Sequence, residues 1–202
     1  MDSIRYNVGK EETDGAIGRP ETFEDAQIRG LVESSVKGDI EAYGELYGIY
    51  LDRIYRYIYY QIGNKAAAED LTEEVFLKAW GAIGRYKWKG QPFTSWLYRI
   101  AHNHLVDYYR TRRQHEDLQL QENILADDTS IEEEVEGKAT RQQILEAISS
   151  LPELQQQVVI MKFIDDLDNR EIEQIIGKSQ GAIRVLQTRA LATLRQRLNG
   201  VD

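Results

Sequence analysis

Between Asp25 and Arg113, apolar residues recur every third or fourth position, which is the spacing of one buried helical face. The clearest stretch follows Asp39, a good N-cap, and stops at Gly63-Asn64, a pair that breaks helices. Its stripe consists of Ile40, Tyr43, Leu46, Tyr47, Tyr50, Leu51, Ile54, Tyr55 and Ile58. We predict a helical N-terminal half in which the tyrosines mainly pack.

A second helical half begins near Thr140, where the same spacing returns. Asp168 with Glu171 three residues later predicts a capping box, and Gly177 predicts the left-handed end of a short helix over 169–176. Ser179 then caps a last helix, whose predicted apolar face is Ile183, Leu186, Ala190, Leu194 and Leu198. This order is typical of a helix-turn-helix, whose second helix enters the DNA major groove, although helical hairpins in general share the pattern.

Charge is distributed in blocks along the 202-residue chain, whose net charge is -9. Nine acids and no Lys or Arg lie between Glu116 and Glu136, so this one segment equals the whole net charge. Residues 85–113 carry seven Lys and Arg against one acid, Asp107, and residues 178–197 carry five Lys and Arg against none. The chain therefore consists of two basic helical blocks separated by an acidic connector, which we expect to be loosely structured.

Other bulk features exclude several classes of protein. The chain has no cysteine, which excludes a disulfide scaffold, a thiolate metal site and a cysteine nucleophile, and fits the reducing cytoplasm. The polar residues 1–24 lack the apolar run of a signal peptide, and we expect a disordered or partner-dependent leader there. No run of about 18 apolar residues occurs, so we expect no membrane insertion.

The stretch from Tyr86 to Arg113 places aromatic rings beside cations. Rings stack on unpaired bases at about 1–3 kcal/mol each while cations hold phosphates, which suits single-stranded nucleic acid. The loop Gly90-Gln91-Pro92 precedes the aromatic helix, and such a loop suits the capture of a base that has left its stack. The alternative is that the rings are core and the arginines only a solvated helix end.

The preceding helix, AAAEDLTEEVFLKAWGAI, carries a second candidate surface. Its apolar row is Leu71, Val75, Ala79 and Ala82, with the acids off that row. One interpretation is a solvated polar face. The other is a docking surface for a basic partner, in which the acids lie beside the half-exposed side chains Phe76, Leu77 and Trp80.

Four segments resemble, in order and spacing, the extracytoplasmic-function (ECF, group IV) sigma factors of bacterial RNA polymerase: EDLTEEVFLKAW, FTSWLYRIAHNHLVDYYR, SSLPELQQQVVIMKF and EIEQIIGKSQGAIRVLQTRAL. The resemblance covers roughly Asp25 to Leu198. It implies an all-α chain with a promoter-melting domain at 25–114, a flexible acidic linker at 115–138 and a helix-turn-helix domain at 139–202. The implied partners are the β and β′ subunits of core polymerase, promoter DNA and an anti-sigma factor, with no cofactor and no metal.

The resemblance also implies three sets of binding residues. Those for core polymerase are Asp70, Leu71, Glu73, Glu74, Phe76, Leu77 and Trp80. Those for the minus-ten promoter element are Lys87, Trp88, Lys89, Gln91, Phe93, Trp96, Arg99, Asn103, Tyr108, Arg110, Arg112 and Arg113. Those for the minus-thirty-five element are Ser179, Gln180, Arg184, Val185, Thr188 and Arg189. Val185-Leu186-Gln187 departs from the family's more frequent polar-Arg-apolar triplet, so the identity of the recognised bases stays open.

Two other classes of protein fit parts of the pattern. A helix-turn-helix repressor or activator with an all-helical sensing domain would need no polymerase-docking surface. An enzyme would need a catalytic cluster, and His102, Asn103 and His104 superficially resemble a nuclease triplet. Adjacent residues on a helix point apart, and no Cys or carboxylate-rich metal cage accompanies them, so we expect no enzymatic activity.

Overall fold

The computed structural model describes residues 23–88, 92–118 and 143–198, and within these ranges all regular structure is helical. The N-terminal half contains α1 (Phe23–Val36), α2 (Ile40–Ile62), α3 (Lys65–Ile83) and α4 (Phe93–Leu118). The C-terminal half contains α5, helical over 143–149, α6 (Glu153–Val159), a π-helix (Ile160–Ile164), α7 (Asn169–Ile176) and α8 (Gln180–Leu198). The all-α prediction is confirmed. Residues 1–22 of the predicted leader and most of the acidic connector lie outside the described residues, and the last two residues of the predicted leader begin α1.

The helix boundaries of the N-terminal half follow the local signals in the sequence. The Asp39 carboxylate accepts hydrogen bonds from two backbone N–H groups of the first turn of α2, at 3.0 and 3.1 Å. Gly63 ends α2 with φ of 72°, a left-handed conformation that favours glycine, and the Asn64 side chain caps α3. The short turn between α2 and α3 makes these two helices neighbours.

The fourth helix is longer than the sequence pattern predicts. The apolar spacing extends to Arg113, but α4 continues to Leu118 and includes the first residues of the predicted linker. No Gly or Pro occurs between Arg113 and Leu118, so the segment lacks a residue that would stop the helix. The change from apolar spacing to acidic composition therefore does not coincide with the helix end.

The predicted helix-turn-helix geometry is present in α7 and α8. Asp168 and Glu171 form the capping box, with each side chain accepting from the other residue's backbone N–H at 2.8 Å. Gly177 has φ of 68° and ends α7, and Ser179 Oγ accepts from a backbone N–H of the first turn of α8 at 3.3 Å. Ile183 and Ala190 anchor α8 because both are fully buried. The opposite face of α8 is left exposed.

One continuous hydrophobic core connects the two halves. Its N-terminal part comes from α2, α3 and α4, and its C-terminal part from α6, the π-helix, α7 and α8. Fully buried members include Leu46, Ile54, Val75, Leu97, Leu105, Val158, Ile160, Met161, Ile172 and Ile183. Helix α7 packs against α4, so the C-terminal half covers one face of the helix that carries most of the aromatic and basic residues.

Candidate nucleic-acid and protein interfaces

The first candidate surface is the exposed face of α3, called the docking surface here and defined by Asp70, Glu73, Glu74, Leu77 and Trp80. The three carboxylates are exposed, Leu77 is 70% exposed and Trp80 is half-buried. An aliphatic side chain exposed to this degree among acids gives a mixed surface that suits a partner with both cations and apolar groups.

Leu71 and Phe76 lie beneath the docking surface and support it. Phe76 is buried, which corrects the expectation of a half-exposed ring, and its ring packs edge-on against Tyr47 at 4.7 Å between centroids. The Tyr43 hydroxyl donates to the Phe76 carbonyl at 2.6 Å, and burial raises the pKa of Tyr43 to about 12. Because Phe76 falls on the inner edge of the α3 stripe, the core takes it.

His104 connects the docking surface to α4. Lys78 Nζ donates to His104 Nδ1 at 2.5 Å, and His104 Nε2 lies 3.0 Å from the Glu74 carboxylate. Burial, followed by the charge of Lys78, lowers the pKa of His104, while Glu74 opposes this shift. Acceptance from Lys78 at Nδ1 places the proton of a neutral imidazole on Nε2, which faces the Glu74 carboxylate without meeting hydrogen-bond geometry.

The second candidate surface, called the strand-capture surface here, is built on a cluster of four rings. Tyr86 lies edge-on to Phe93, Trp96 and Trp88, with centroids 5.8, 5.2 and 6.3 Å apart. Phe93 also packs against Trp96 at 5.3 Å and against Tyr50 of α2 at 5.5 Å, and burial raises the pKa of Tyr86 to about 12. The cluster fixes the orientation of the outer rings relative to α4.

Trp88 and the cations form the outer part of the strand-capture surface. Trp88 is 38% exposed, and the Arg29 guanidinium of α1 lies 4.8 Å from its ring centroid. Exposed polar side chains follow along the loop and α4, namely Lys87, Arg99, Asn103, Arg110 and Arg112. Arg110 also contacts Asp107 at 2.9 Å. Exposed cations thus extend along α4 from the ring cluster.

Not every residue predicted for this surface can make a direct contact. Phe93 is buried, because it is the residue around which the other rings pack, and Tyr108 is half-buried. Trp96 is also half-buried beside the cluster. Lys89 and Gln91 lie outside the described residues, and the Arg113 side chain is likewise not described.

The third candidate surface, the recognition-helix surface, is the exposed face of α8. Ser179, Arg184, Val185, Thr188 and Arg189 are all exposed on it, and Val185 is 48% exposed. The Thr188 hydroxyl donates to the Arg184 carbonyl within the helix at 2.9 Å. Two long cations and an apolar side chain thus project from one rigid, doubly anchored helix.

Two glutamines of α8 are engaged within the helix-turn-helix. Gln180 Nε2 donates to Glu173 at 3.0 Å, and Gln187 Nε2 donates to Asn169 at 2.8 Å. The family resemblance assigns Gln180 to the minus-thirty-five element, but both glutamines are half-buried between α7 and α8. Their amides fix the angle between the two helices, which leaves the arginines as the long side chains free to project from this face.

A polar contact between the two halves had no signal in the sequence. Arg56 of α2 donates to Asp165 Oδ1 from two guanidinium nitrogens, at 3.1 and 3.3 Å, and Arg53 donates to the Asp165 backbone carbonyl at 3.0 Å. These partners lie more than 100 positions apart along the chain, so no periodicity or spacing rule could have paired them.

No described helix is long and apolar enough to cross a membrane. Among the same residues, no group of three or more His, Cys, Asp or Glu side chains is arranged to hold a metal ion. His102 and His104 therefore belong to separate local environments in the described structure, with His102 packed near Gln157 and Glu153.

Sequence comparisons identify two family regions in the chain. Residues 46–115 match the family described as Sigma-70 region 2, and residues 141–194 match the family described as Sigma-70, region 4. The ECF RNA polymerase sigma factor BldN of Streptomyces coelicolor is 38% identical over 175 residues, which cover 86% of this chain and 66% of that protein. The ECF RNA polymerase sigma factor SigW of Bacillus subtilis is 30% identical over 181 residues, which cover 85% and 96%.

Two solved structures share the fold. CnrH, in complex with the cytosolic domain of CnrY, superposes with a TM-score of 0.68 at 20% identity, covering 87% of this chain and 99% of that chain. The sigma factor RpoE, in complex with the anti-sigma factor NepR from Bartonella quintana, gives a TM-score of 0.67 at 20% identity, covering 81% and 99%. At this identity, the likeness establishes the helical fold.

Proposed function

Because this chain belongs to the ECF sigma factors of RNA polymerase, which direct promoter-specific transcription initiation, we propose that its three surfaces divide this task. The docking surface binds core polymerase, the strand-capture surface holds the melted minus-ten element, and the recognition-helix surface binds the minus-thirty-five element. The observation that carries the proposal is the packed ring cluster beside the exposed cations of α4, on the same chain as a basic helix-turn-helix.

Strand capture follows from the chemistry of the ring cluster. Trp88 presents part of its ring to solvent, and Trp96 and Tyr86 hold the surrounding geometry. An unpaired base can stack on an exposed indole, whereas a paired base inside the duplex cannot reach it. The cations along α4 hold the phosphates on either side, so the surface favours the melted strand over the duplex.

Minus-thirty-five binding follows from the exposed face of α8. A guanidinium can bind the O6 and N7 atoms of guanine through two hydrogen bonds, and an apolar side chain can contact the thymine methyl group. Arg184 and Val185 supply these two side-chain types, and we assign Arg195 and Arg197, near the end of α8, to phosphate contacts.

Core binding is assigned to the docking surface, where acids surround the exposed Leu77. A coiled coil of the β′ subunit is the partner that the family resemblance implies. A chain of net charge -9 is expected to bind DNA weakly by itself. When polymerase holds both halves near one promoter, the second DNA contact becomes intramolecular, and tight binding follows.

An anti-sigma factor is a further proposed partner, since the two structural neighbours were solved with the cytosolic domain of CnrY and with NepR. We place the chain in the cytoplasm with its polymerase, and as an initiation factor it needs no catalytic activity of its own.

The test is run-off transcription from a promoter library, with purified core polymerase in the presence and absence of the chain. Specific transcripts are expected only when the chain is present. A Leu77→Ala variant is expected to lose core binding in a pull-down, whereas Ile49→Ala, which trims an exposed aliphatic residue on α2, is expected to retain it. Tight, sequence-specific binding by the free chain in a gel shift would instead favour an ordinary helix-turn-helix repressor.

A further inference from the structure

The contact between the two halves buries a carboxylate of the C-terminal half beneath cations of the N-terminal half. The Asp165 side chain is 0% exposed, whereas that of its partner Arg56 is 41% exposed. The second oxygen, Oδ2, has no hydrogen-bond partner, and the Tyr98 hydroxyl of α4 lies close to the carboxylate. Arg56 is thus the charge partner of Asp165, while Arg53 holds its backbone.

The backbone around Asp165 is shaped for this contact. The π-helix ends at Asp165, whose N–H donates to the Ile160 carbonyl at 3.0 Å. Asp166 follows in the left-handed region, with φ of 55°, which is uncommon for a residue other than glycine. The π-turn and the left-handed residue direct one carboxylate inward and leave the next one exposed.

Apolar packing surrounds this charge on both sides. Tyr57 and Tyr98 are fully buried, with ring centroids 5.3 Å apart, and Met161 and Ile172 are buried in the same core. The Asp165 side chain itself is 0% exposed, so its carboxylate depends on protein groups for its partners while the halves remain packed. A buried carboxylate that loses the guanidinium hydrogen-bonded to it destabilises the structure that buries it.

The two residues of the ion pair differ in their exposure to solvent. Arg56 reaches solvent, so removal of the carboxylate would leave a guanidinium that water can hydrate. Removal of the guanidinium would leave a buried carboxyl that must either stay charged without its cation or take up a proton, and separation of the halves relieves both costs. The packed arrangement therefore depends on the arginine more than on the carboxylate.

We propose that this contact is an autoinhibitory device: the halves stay packed while Arg56 holds Asp165, and they separate when the arginine is withdrawn. The inference rests on the proposed function, because two promoter elements at different positions along the DNA require the helix-turn-helix to move away from α4. One helical turn of duplex already spans about 34 Å, whereas α7 packs directly on α4 in the closed chain.

The test measures the distance between the halves by pulsed electron spin resonance on the free, full-length chain. The chain has no cysteine, so Glu45→Cys on α2 and Gln196→Cys on α8, both exposed positions, provide unique sites for spin labels. The parent is expected to give one short distance. Arg56→Met is expected to raise the ratio of open to closed molecules about a hundredfold, as a stranded buried charge would.

A second variant separates this effect from damage to the fold. In the double variant Arg56→Met with Asp165→Asn, no charge is left stranded, so the short distance is expected to return. Arg170→Met, which removes an exposed arginine of α7, is expected to match the parent. A parent-like distance in Arg56→Met, or a double variant as open or as disordered as the single one, overturns the proposal.

The distance measurement contains no polymerase, so its failure leaves the proposed function untouched. Conversely, if run-off transcription fails while the distances respond as expected, the proposed function falls and the contact between the halves remains. A closed parent that opens in Arg56→Met and also binds core polymerase at lower concentrations would connect the two results.

Discussion

The strand-capture surface and the recognition-helix surface both carry exposed arginines but are supported in different ways. Behind the first lies a cluster of interlocked rings, with Phe93 buried at its centre and Trp88 partly exposed at its edge. Behind the second lie aliphatic anchors and two amide hydrogen bonds between α7 and α8. The ring cluster presents a flat apolar area to the solvent, whereas the aliphatic anchors and amide hydrogen bonds fix the angle of α8 relative to α7.

This difference matches two different forms of DNA. An unpaired base offers its face, which binds to a ring, whereas a paired base offers only its edge in the groove, which binds to a hydrogen-bonding fork. A rigid helix with short apolar anchors suits the groove, and an aromatic cluster suits a strand that has already left the duplex. The comparison predicts different responses to salt, to base identity and to pH.

The largest expected effect is the loss of open promoter complexes in Trp88→Ala. One stacking contact contributes about 1–3 kcal/mol, so open complexes are expected to decrease about ten- to a hundredfold. Permanganate reactivity of unpaired thymines within the polymerase holoenzyme measures this decrease. The salt dependence is expected to stay unchanged, because no cation is removed.

Arg99→Ala is the matched variant for Trp88→Ala, since it removes an exposed cation of α4 and leaves the rings in place. The slope of its promoter binding against salt concentration, on logarithmic scales, is expected to decrease by about one, which corresponds to one phosphate contact. If both variants change the salt slope equally, the aromatic surface has no role distinct from that of the cations, and the comparison fails.

The next effect concerns one base pair of the minus-thirty-five element. Arg184→Ala is expected to cost about 1–3 kcal/mol of binding and to relax specificity at one position. Arg195→Ala, in the last turn of α8, is expected to weaken all promoters alike and to lower the salt slope by about one. Competition between promoter variants for holoenzyme separates the outcomes. Equal losses on every promoter in Arg184→Ala would contradict base recognition.

A smaller effect is expected at Val185. If its side chain contacts a thymine methyl group, replacement of that thymine by uracil in the promoter removes about one methyl contact, on the order of 0.8 kcal/mol. Val185→Ala is expected to weaken binding by a similar amount and to be insensitive to the uracil substitution. Additive losses from Val185→Ala and the uracil substitution would show that the valine side chain and the thymine methyl group are not in contact.

Much of this architecture could be predicted from short-range signals. The capping box at Asp168 and the glycine ends of α2 and α7 each depend on residues within about four positions of one another, and the helix-turn-helix follows from the order of such signals along the chain. The exposed arginines of α8 follow from the helical period once Ile183 is assigned to the core.

The remaining features depend on contacts that only the folded chain creates. Phe76 and Phe93 lie at the edges of their apolar stripes, and their burial is decided by Tyr47 and Tyr50 of a different helix. The pairing of Arg56 with Asp165 joins positions 109 residues apart. Periodicity describes one helix at a time, so it cannot determine which faces of different helices meet.

The smallest expected effect is the part of the pH dependence of stability that comes from the histidines, which occur in the N-terminal half. All three histidines precede residue 116. Burial and the Lys78 charge lower the pKa of His104 below its ordinary value of 6.5, and burial also lowers the pKa of His102. Their neutral forms stabilise the fold above about pH 6.5, and this stability is lost as the pH falls through their folded pKa values.

Asp165 and Glu171 act in the opposite direction, because burial raises the pKa of each carboxyl and favours its protonated form in the fold. A histidine variant therefore isolates the first contribution. Between pH 7.5 and 5.5, the melting temperature of His104→Gln is expected to fall less than that of the parent, since glutamine does not titrate. Equal decreases would show that protonation of His104 is not coupled to folding, and that the contact between α3 and α4 tolerates a charged imidazole.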